Sequence, residues 1–561
     1  MKHRKQHCKR ITIPTLQEEW RFFKFAIAPF KYKFALVLLM LILVLAASCA
    51  SPVLQKHLVD AFSSKNRHDV ILYGVLAAIA LVTWRGGEAL WSLMASMLKI
   101  NCESHLKRKF FRHLLRLPLG VVETGGSGYL GQRLHWDIEV VTTFFCHGLF
   151  GLVLNFLKLC SAVVLLSICA PEMMLASGPV LLLFFLLTWV FRRRQYELSS
   201  RINEAAAEYR RNMQNSLDRL TLFKSRSAER RVDRRVGRNL NKVTILRMSR
   251  VRWERFYTIL LQLLPALWCG AVWYYGACKV LDGSWTLGNL WAVSGYMLLI
   301  FTPGKMFFTG LLTKRNSDAA LSRLLELQRM LPERHLNTPE SRNKAATGAI
   351  EFDRISFAYP GGRNVFKDYS LTIADGEHLG IYGPSGGGKS TLGALLLRLY
   401  DVSGGEIRLD GRNVKDYSLT ALRQSVGYIS QSAELFYGSV RENLSHGGGY
   451  PDAKIVAALR RSGMGKRLDE NPDLLELKIR EDGSNFSAGE RLKLALAREL
   501  LRNTRVLVLD ETTAALDRDS ENAVFELLRG EWRDRTVIFI SHRDFTPGVM
   551  DRIIKIEPPR C

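Results

Sequence analysis

Six apolar stretches of about 20 residues each crowd the first 310 positions of this chain, at 34–54, 70–90, 149–169, 173–191, 257–280 and 287–308. A bilayer core offers no water to backbone N–H and C=O groups, so a segment of this length and polarity must cross it as a helix. The second stretch is the least regular, because Arg85 and Glu88 interrupt its far end. The run Leu45-Ala46-Ala47-Ser48-Cys49 resembles a lipoprotein cleavage site. However, the chain ahead of the apolar run is far longer than the charged start of a signal peptide, so it reads as the first membrane helix. After position 345 the pattern changes to short apolar runs separated by polar loops. The chain therefore divides into a helical membrane part (1–325), a connector (326–345) and a soluble α/β part (346–561).

The net charge of +26 would suit nucleic acid. Its densest stretch, 191–255, nevertheless lies between two apolar segments and lacks the interleaved stacking aromatics of a nucleic-acid surface. Lys and Arg gather in the cytoplasmic loops of membrane proteins, so the charge is read as topology, with anionic lipid as the other candidate contact and no nucleic-acid partner. Positive charge before residue 34, between 99 and 133, and after 191 puts both termini and two long loops in the cytoplasm, with three short loops outside. Residues 18–30 mix Trp20, Phe22, Phe23 and Phe25 with charges, as an interfacial helix does. Lys158, with Asn155 one turn earlier, lies near the middle of the third stretch, where a charge is expensive and must face a bundle interior or a wet cavity. Arg85 and Glu88 have the i,i+3 spacing of an ion pair. Nine cysteines show no CxxC pair and no metal-ligand spacing.

The soluble part carries phosphate chemistry. Gly383-Pro384-Ser385-Gly386-Gly387-Gly388-Lys389-Ser390 fits the pattern G-x-x-x-x-G-K-[ST] between a strand-like run at 378–382 and a helical one beginning at Thr391. Glycines let backbone N–H groups wrap phosphate at a helix N-terminus. Lys389 is then expected to reach the β- and γ-phosphates, and the Ser390 hydroxyl to hold Mg²⁺. About 120 residues further on, the apolar strand Val506-Leu507-Val508-Leu509 ends in Asp510-Glu511. There Asp510 suits Mg²⁺ and Glu511 suits polarising the attacking water. A second such strand, 536–540, ends in Ser541-His542, where an imidazole can meet the γ-phosphate.

These motifs together resemble an ATP-binding cassette (ABC) transporter. The deciding run is Phe486-Ser487-Ala488-Gly489-Glu490 with the helix after it, similar to the family's signature motif. Tyr359 resembles the aromatic that stacks on adenine, Gln431 the Q-loop glutamine that also reaches Mg²⁺, Asp517 the D-loop aspartate, and Arg480-Glu481-Asp482-Gly483 the segment that meets the opposite coupling helix. The six spans resemble the exporter-type membrane fold. The resemblance implies a dimer of half-transporters binding ATP and Mg²⁺ between two P-loop domains. Each nucleotide would lie between the 383–391 loop of one subunit and Ser487 and Gly489 of the other, with Glu511, His542 and Gln431 as catalytic residues. It also implies ATP-driven export of an amphipathic small molecule, peptide or lipid across a membrane, placement in a bacterial inner membrane, and a partner that is a second copy or a related subunit. An exporter-fold importer of a metal chelate, or a soluble ATPase of this family, are the alternatives; six spans argue against the second. The signature departs from Leu-Ser-Gly-Gly-Gln at Phe486, Ala488 and Glu490: a methyl group close to nucleotide, and a negative charge near phosphate, are both expected to weaken the site.

Overall fold

The computed structural model describes residues 14–333 and 347–557, apart from 361, 363, 385, 481–482, 512–517 and 542–548. It divides into two compact units: Met1–Arg112 with Gly131–Arg329, and His113–Leu130 with Met330–Cys561.

The first unit is all helical. An N-terminal helix α1 (Leu16–Ile27) opens with a capping box, in which the Thr15 hydroxyl and the Glu18 carboxylate each accept the other's backbone N–H. The long helices follow: α2 (Lys31–Ser63), α3 (Arg67–Leu114), α5 (Gly128–Cys169), α6 (Pro171–Asp218), α7 (Glu229–Leu281) and α8 (Leu287–Arg329). Each contains one of the six apolar stretches and runs well past it, so the long polar stretches of sequence are continuations of membrane helices. Prolines 52, 179, 265 and 303 lie inside these helices, as membrane helices tolerate where neighbours re-satisfy the freed carbonyls. The core of the bundle gathers Ala162, Leu166, Phe184, Val293, Tyr296 and Ile300. Leu39, Ile42, Ile71, Val75, Ile79 and Leu182 are exposed, a pattern that only an apolar solvent makes favourable.

Three sequence expectations gain their partners here. The interfacial helix does not lie free, because Phe22 and Phe23 of α1 are buried, with Phe22 against Phe110 and both against Phe145. The acids of α1 are held by α8: Lys314 Nζ lies 2.9 Å from Glu19, and Arg329 pairs with Glu18. Arg85 and Glu88 do approach, at 3.8 Å, but the nearer partner of Glu88 is Lys158, with Nζ 2.7 Å from its carboxylate. The Trp84 indole N–H donates to the same carboxylate at 3.0 Å. Lys158 is thus a buried, paired lysine at the α3–α5 contact, in the bundle interior that was one of its two expected placements.

The second unit begins with the short helix α4 (Leu119–Gly125). Its strands are β1 (Ile350–Ala358), β2 (Asn364–Ile373), β3 (His378–Tyr382), β4 (Gly404–Leu409), β5 (Arg412–Asn413), β6 (Val426–Ile429), β7 (Gly438–Ser439), β8 (Lys478–Ile479), β9 (Val506–Asp510), β10 (Thr536–Ser541) and β11 (Arg552–Lys555). An antiparallel sheet ordered β2-β1-β4-β5 faces a parallel sheet ordered β11-β3-β10-β9-β6. β9 and β10 are buried at every residue, which is why both read as unbroken apolar runs. Phe352, Ile355, Ile381, Leu395, Val508 and Ile540 share the core between the sheets.

Candidate ATP site

Parallel pairing aligns the C-terminal ends of distant strands. Ser541 of β10 is opposite Tyr382 of β3, Ile540 is opposite Asp510 of β9, and Ile429 of β6 is opposite Leu509. The loops that leave these strands therefore emerge along one edge, the place where open α/β sheets bind ligands. Residues more than a hundred positions apart converge there for that reason alone.

The loop after β3 is shaped by its glycines. Gly386 (φ +82°) and Gly388 (φ +91°) occupy the left-handed region. A Cβ on Gly388 would stand 2.6 Å from Val365 and 2.9 Å from Phe366, and one on Gly383 would meet the Ile556 carbonyl at 2.2 Å. The loop delivers the chain into α9 (Lys389–Leu396). Lys389 is buried and its ammonium donates back to the carbonyls of Gly383 (2.9 Å) and Pro384 (3.1 Å). The ammonium is thereby held where phosphate oxygens can replace those two carbonyls as acceptors. Thr391, also buried, shares a 3.1 Å hydrogen bond with the Tyr359 hydroxyl. That tyrosine is edge-on to Phe357 and Tyr400, with centroids 5.0 and 5.1 Å away, and the ring stays about one-third exposed, open to stacking.

The carboxylates complete the edge. The Ser390 hydroxyl donates to Asp510 at 2.8 Å, so the two oxygens that suit a magnesium ion are already neighbours. The donor set, one hydroxyl and one carboxylate, is the hard-oxygen kind that Mg²⁺ prefers. The Tyr428 hydroxyl donates to the other oxygen of Asp510 at 2.7 Å. Burial and then the Asp510 charge push this phenol well above its usual range, so it is a protonated donor. Gln431 Nε2 donates to Glu511 at 2.8 Å. Glu511 has φ +51°, and its N–H bonds the Ile540 carbonyl at 2.9 Å. Tyr428 is absent from the residues the motifs single out; its signal is its place next to the last residue of a strand beside β9.

Signature residues Ser487 and Ala488 are exposed at the start of a helix, α10 (Ala488–Arg502). The Ser487 hydroxyl accepts from the Glu490 N–H at 3.2 Å, and the Glu490 carboxylate accepts from the Ser487 N–H at 2.8 Å. Arg467 stands 3.6 Å from that carboxylate. The expected negative charge of Glu490 is thus turned back to cap its own helix and lies beside a cation. Phe486 is buried with Val440, Leu459, Ile479 and Leu494, which explains an apolar residue at the first signature position. Gly489 follows Ala488 in the first turn of α10. Ser385, Asp517, His542 and the pair Glu481-Asp482 lie outside the described residues.

Two contacts were not foreseen. The Tyr400 hydroxyl donates to Glu123 of α4, and a Cβ on Gly120 would stand 3.1 Å from the Tyr400 ring. Glu333 receives Arg423 in a two-pronged pair at 3.0 and 3.1 Å, while its N–H bonds the Arg116 carbonyl at 2.7 Å. The turn at 113–130 is thereby fastened beside the aromatic that borders Tyr359.

Fold and site together define a P-loop ATPase fused to a six-helix membrane unit. The family models agree: "ABC transporter" matches residues 366–514, and "ABC transporter transmembrane region" matches 34–303. An ATP-dependent lipid A-core flippase of Haemophilus ducreyi is 30% identical over 472 residues, covering 81% of this chain and 78% of that one. Its namesake from Haemophilus influenzae is 27% identical over 560 residues, covering 97% and 93%. The structure of a bacterial Atm1-family ABC exporter with ATP bound superposes with a TM-score of 0.80 at 23% identity, covering 94% of both chains, and speaks to the fold. The chain belongs to the ABC transporter family. It is an integral membrane protein that couples ATP hydrolysis to transport, with one membrane region and one ATP-binding region on a single polypeptide.

Proposed function

We propose that this chain is one half of a homodimeric exporter of an amphipathic, lipid-like cargo, placed in a bacterial inner membrane with both termini and the ATPase unit cytoplasmic. The observation that supports the dimer is the exposure of Ser487 at a helix N-terminus, an end that favours anions, while the same chain holds Lys389, Ser390, Asp510, Glu511 and Gln431 on a separate sheet edge. In this reading each ATP joins the 383–391 loop of one subunit to Ser487 and Gly489 of the other. Closing on nucleotide brings the two ATPase units together, and hydrolysis releases them. A homodimer is favoured because Lys389, Gln431, Asp510, Glu511 and His542 are all present in this one sequence.

The proposed division of labour follows the geometry. Lys389 exchanges the Gly383 and Pro384 carbonyls for β- and γ-phosphate oxygens. Tyr359 stacks on adenine, and Thr391, at the start of α9, backs it. Glu511, held at its carboxylate by Gln431, orients the attacking water and accepts its proton; His542 and Asp517 act at the γ-phosphate and across the dimer. Ser390 and Asp510, with Gln431, would hold Mg²⁺, which neutralises phosphate charge when bound.

The lipid-like cargo rests on the similarity to two lipid A-core flippases and on the apolar exposed surface of the bundle. Two measurements on this chain expressed alone test the reading. Glu511→Gln is expected to bind ATP normally and to lose steady hydrolysis by at least about 100-fold; unchanged hydrolysis would remove Glu511 from its role. Screening lipids, peptides and dyes for stimulated hydrolysis should single out lipid-like amphiphiles, and stimulation by hydrophilic peptides alone would overturn the cargo class. An inactive pure protein would point to a heterodimer.

A further inference from the structure

The basic stretch between the fourth and fifth apolar spans takes no part in the ATP site, and it ends in a narrow surface cleft. Phe191 closes the apolar stretch of α6 and Tyr257 opens that of α7. Their rings stack with centroids 5.2 Å apart. Trp253 and Phe256 add rings 5.9 and 6.0 Å from Phe191, yet they are 43% and 56% exposed. Arg194, Arg250 and Glu254 line the polar side of the same cleft. The arginines are 54% and 42% exposed, and the carboxylates Glu197 and Glu254 stand 3.5 and 4.0 Å away from them, long enough to leave guanidinium donors turned to solvent. The stacking aromatics that sequence reading expected to be absent from this stretch therefore sit at its two ends, where α6 and α7 meet.

The position decides the ligand. Aromatic rings gather at the headgroup level of a bilayer, with the apolar body in acyl chains and the polar rim in water. Arginines one turn further out meet the phosphates of that leaflet, and each adds roughly a fivefold preference for anionic over neutral lipid. Residues 192–197 and 247–256 hold seven arginines against two glutamates, so the whole border is cationic. We propose that the cleft between α6 and α7 is a binding site for an anionic phospholipid of the leaflet from which the polar extensions emerge. Arg194 and Arg250 hold the headgroup phosphate, and Phe191, Trp253 and Tyr257 take the glycerol and upper acyl region. The proposal rests on the reading of these helices as spans with their extensions in the cytoplasm, and it concerns a resident lipid, distinct from cargo.

The full-length protein in nanodiscs of phosphatidylcholine, doped with acyl-brominated phosphatidylglycerol, gives a direct readout. Quenching assigned to Trp253 is the difference between the parent and Trp253→Phe. Half-quenching is expected at a brominated phosphatidylglycerol fraction at least about tenfold below that for brominated phosphatidylcholine. Arg194→Gln with Arg250→Gln should lower that preference by at least about tenfold, and Arg250→Gln alone, a milder change, should reduce it by about fivefold. Equal quenching by the two lipids in the parent, or an undiminished preference in both arginine variants, overturns the site. ATP hydrolysis in these variants is expected to stay within about twofold of the parent, as for surface substitutions generally. A failed cargo screen with intact lipid selectivity would sink the export reading and leave this site standing.

Discussion

Asp510 accepts two hydroxyl donors, Ser390 at 2.8 Å and Tyr428 at 2.7 Å, and they serve different ends. The serine is free to turn to a metal, whereas the phenol, raised by burial and by Asp510 itself, stays protonated at any working pH and pins the carboxylate. A hydrogen bond to a charged group contributes about 1.5–3 kcal/mol. Tyr428→Phe should therefore leave ATP affinity nearly unchanged while raising the Mg²⁺ concentration for half-maximal hydrolysis by about tenfold or more; a Mg²⁺ titration of the ATPase checks this, and an unchanged midpoint would remove the tyrosine from metal positioning. Glu511 shows what residue identity leaves out. Its φ of +51° is a strained conformation for a residue with a Cβ, costing about 1–3 kcal/mol, and it is imposed by the strand end before it and the bond to Ile540.

Among elements, the helix behind the signature explains an unorthodox motif. The fifth position usually holds Gln, and both Glu and Gln close a capping box with Ser487. Glu490→Gln should keep the melting temperature and give hydrolysis equal to or above the parent's, because it retains the cap and removes a charge. Glu490→Ala loses the reciprocal bond and should destabilise the helix by about 0.5–2 kcal/mol, measured as a lower melting temperature with reduced hydrolysis. If both variants behave alike, the cap is irrelevant and the charge alone matters. Element boundaries were partly legible: 378–382 and 506–509 were readable as strands because parallel strands buried on both faces are apolar throughout. The helix after the loop is shorter than its apolar pattern, ending at Leu396, since Arg398 takes a left-handed φ of +52° that no local signal announces.

The membrane unit as a whole is clamped by charge where its helices leave the apolar zone. Asp137, on a π-helical turn of α5, is buried and receives Arg323 of α8 at 2.5 and 2.9 Å and Arg133 at 3.4 Å. Removing one member of a buried ionic group leaves the others uncompensated, at about 3–5 kcal/mol. Asp137→Ala should lower the thermal midpoint of the purified protein sharply, and it should do so with or without ATP. Deeper in the bundle, Lys158→Met leaves Glu88 with only the more distant Arg85 and the Trp84 N–H, so its midpoint should fall below that of the double change Lys158→Met with Glu88→Gln. A double change no better than the single one would show that the pair contributes nothing across α3 and α5.

Periodicity and local motif were enough for six spans, because hydrocarbon forbids any other backbone over such runs, and for a phosphate loop, because its glycines and lysine act within eight consecutive residues. Every pairing between distant segments came instead from packing. Glu88 with Lys158, Asp137 with Arg323, Tyr428 with Asp510 and Glu123 with Tyr400 depend on which helix or strand lies beside which. A charge in a sequence has many possible partners, and packing selects one. The signature shows both halves at once: its departures were visible as letters, but whether Glu490 faces phosphate or its own helix depended on a carboxylate folding back by one turn.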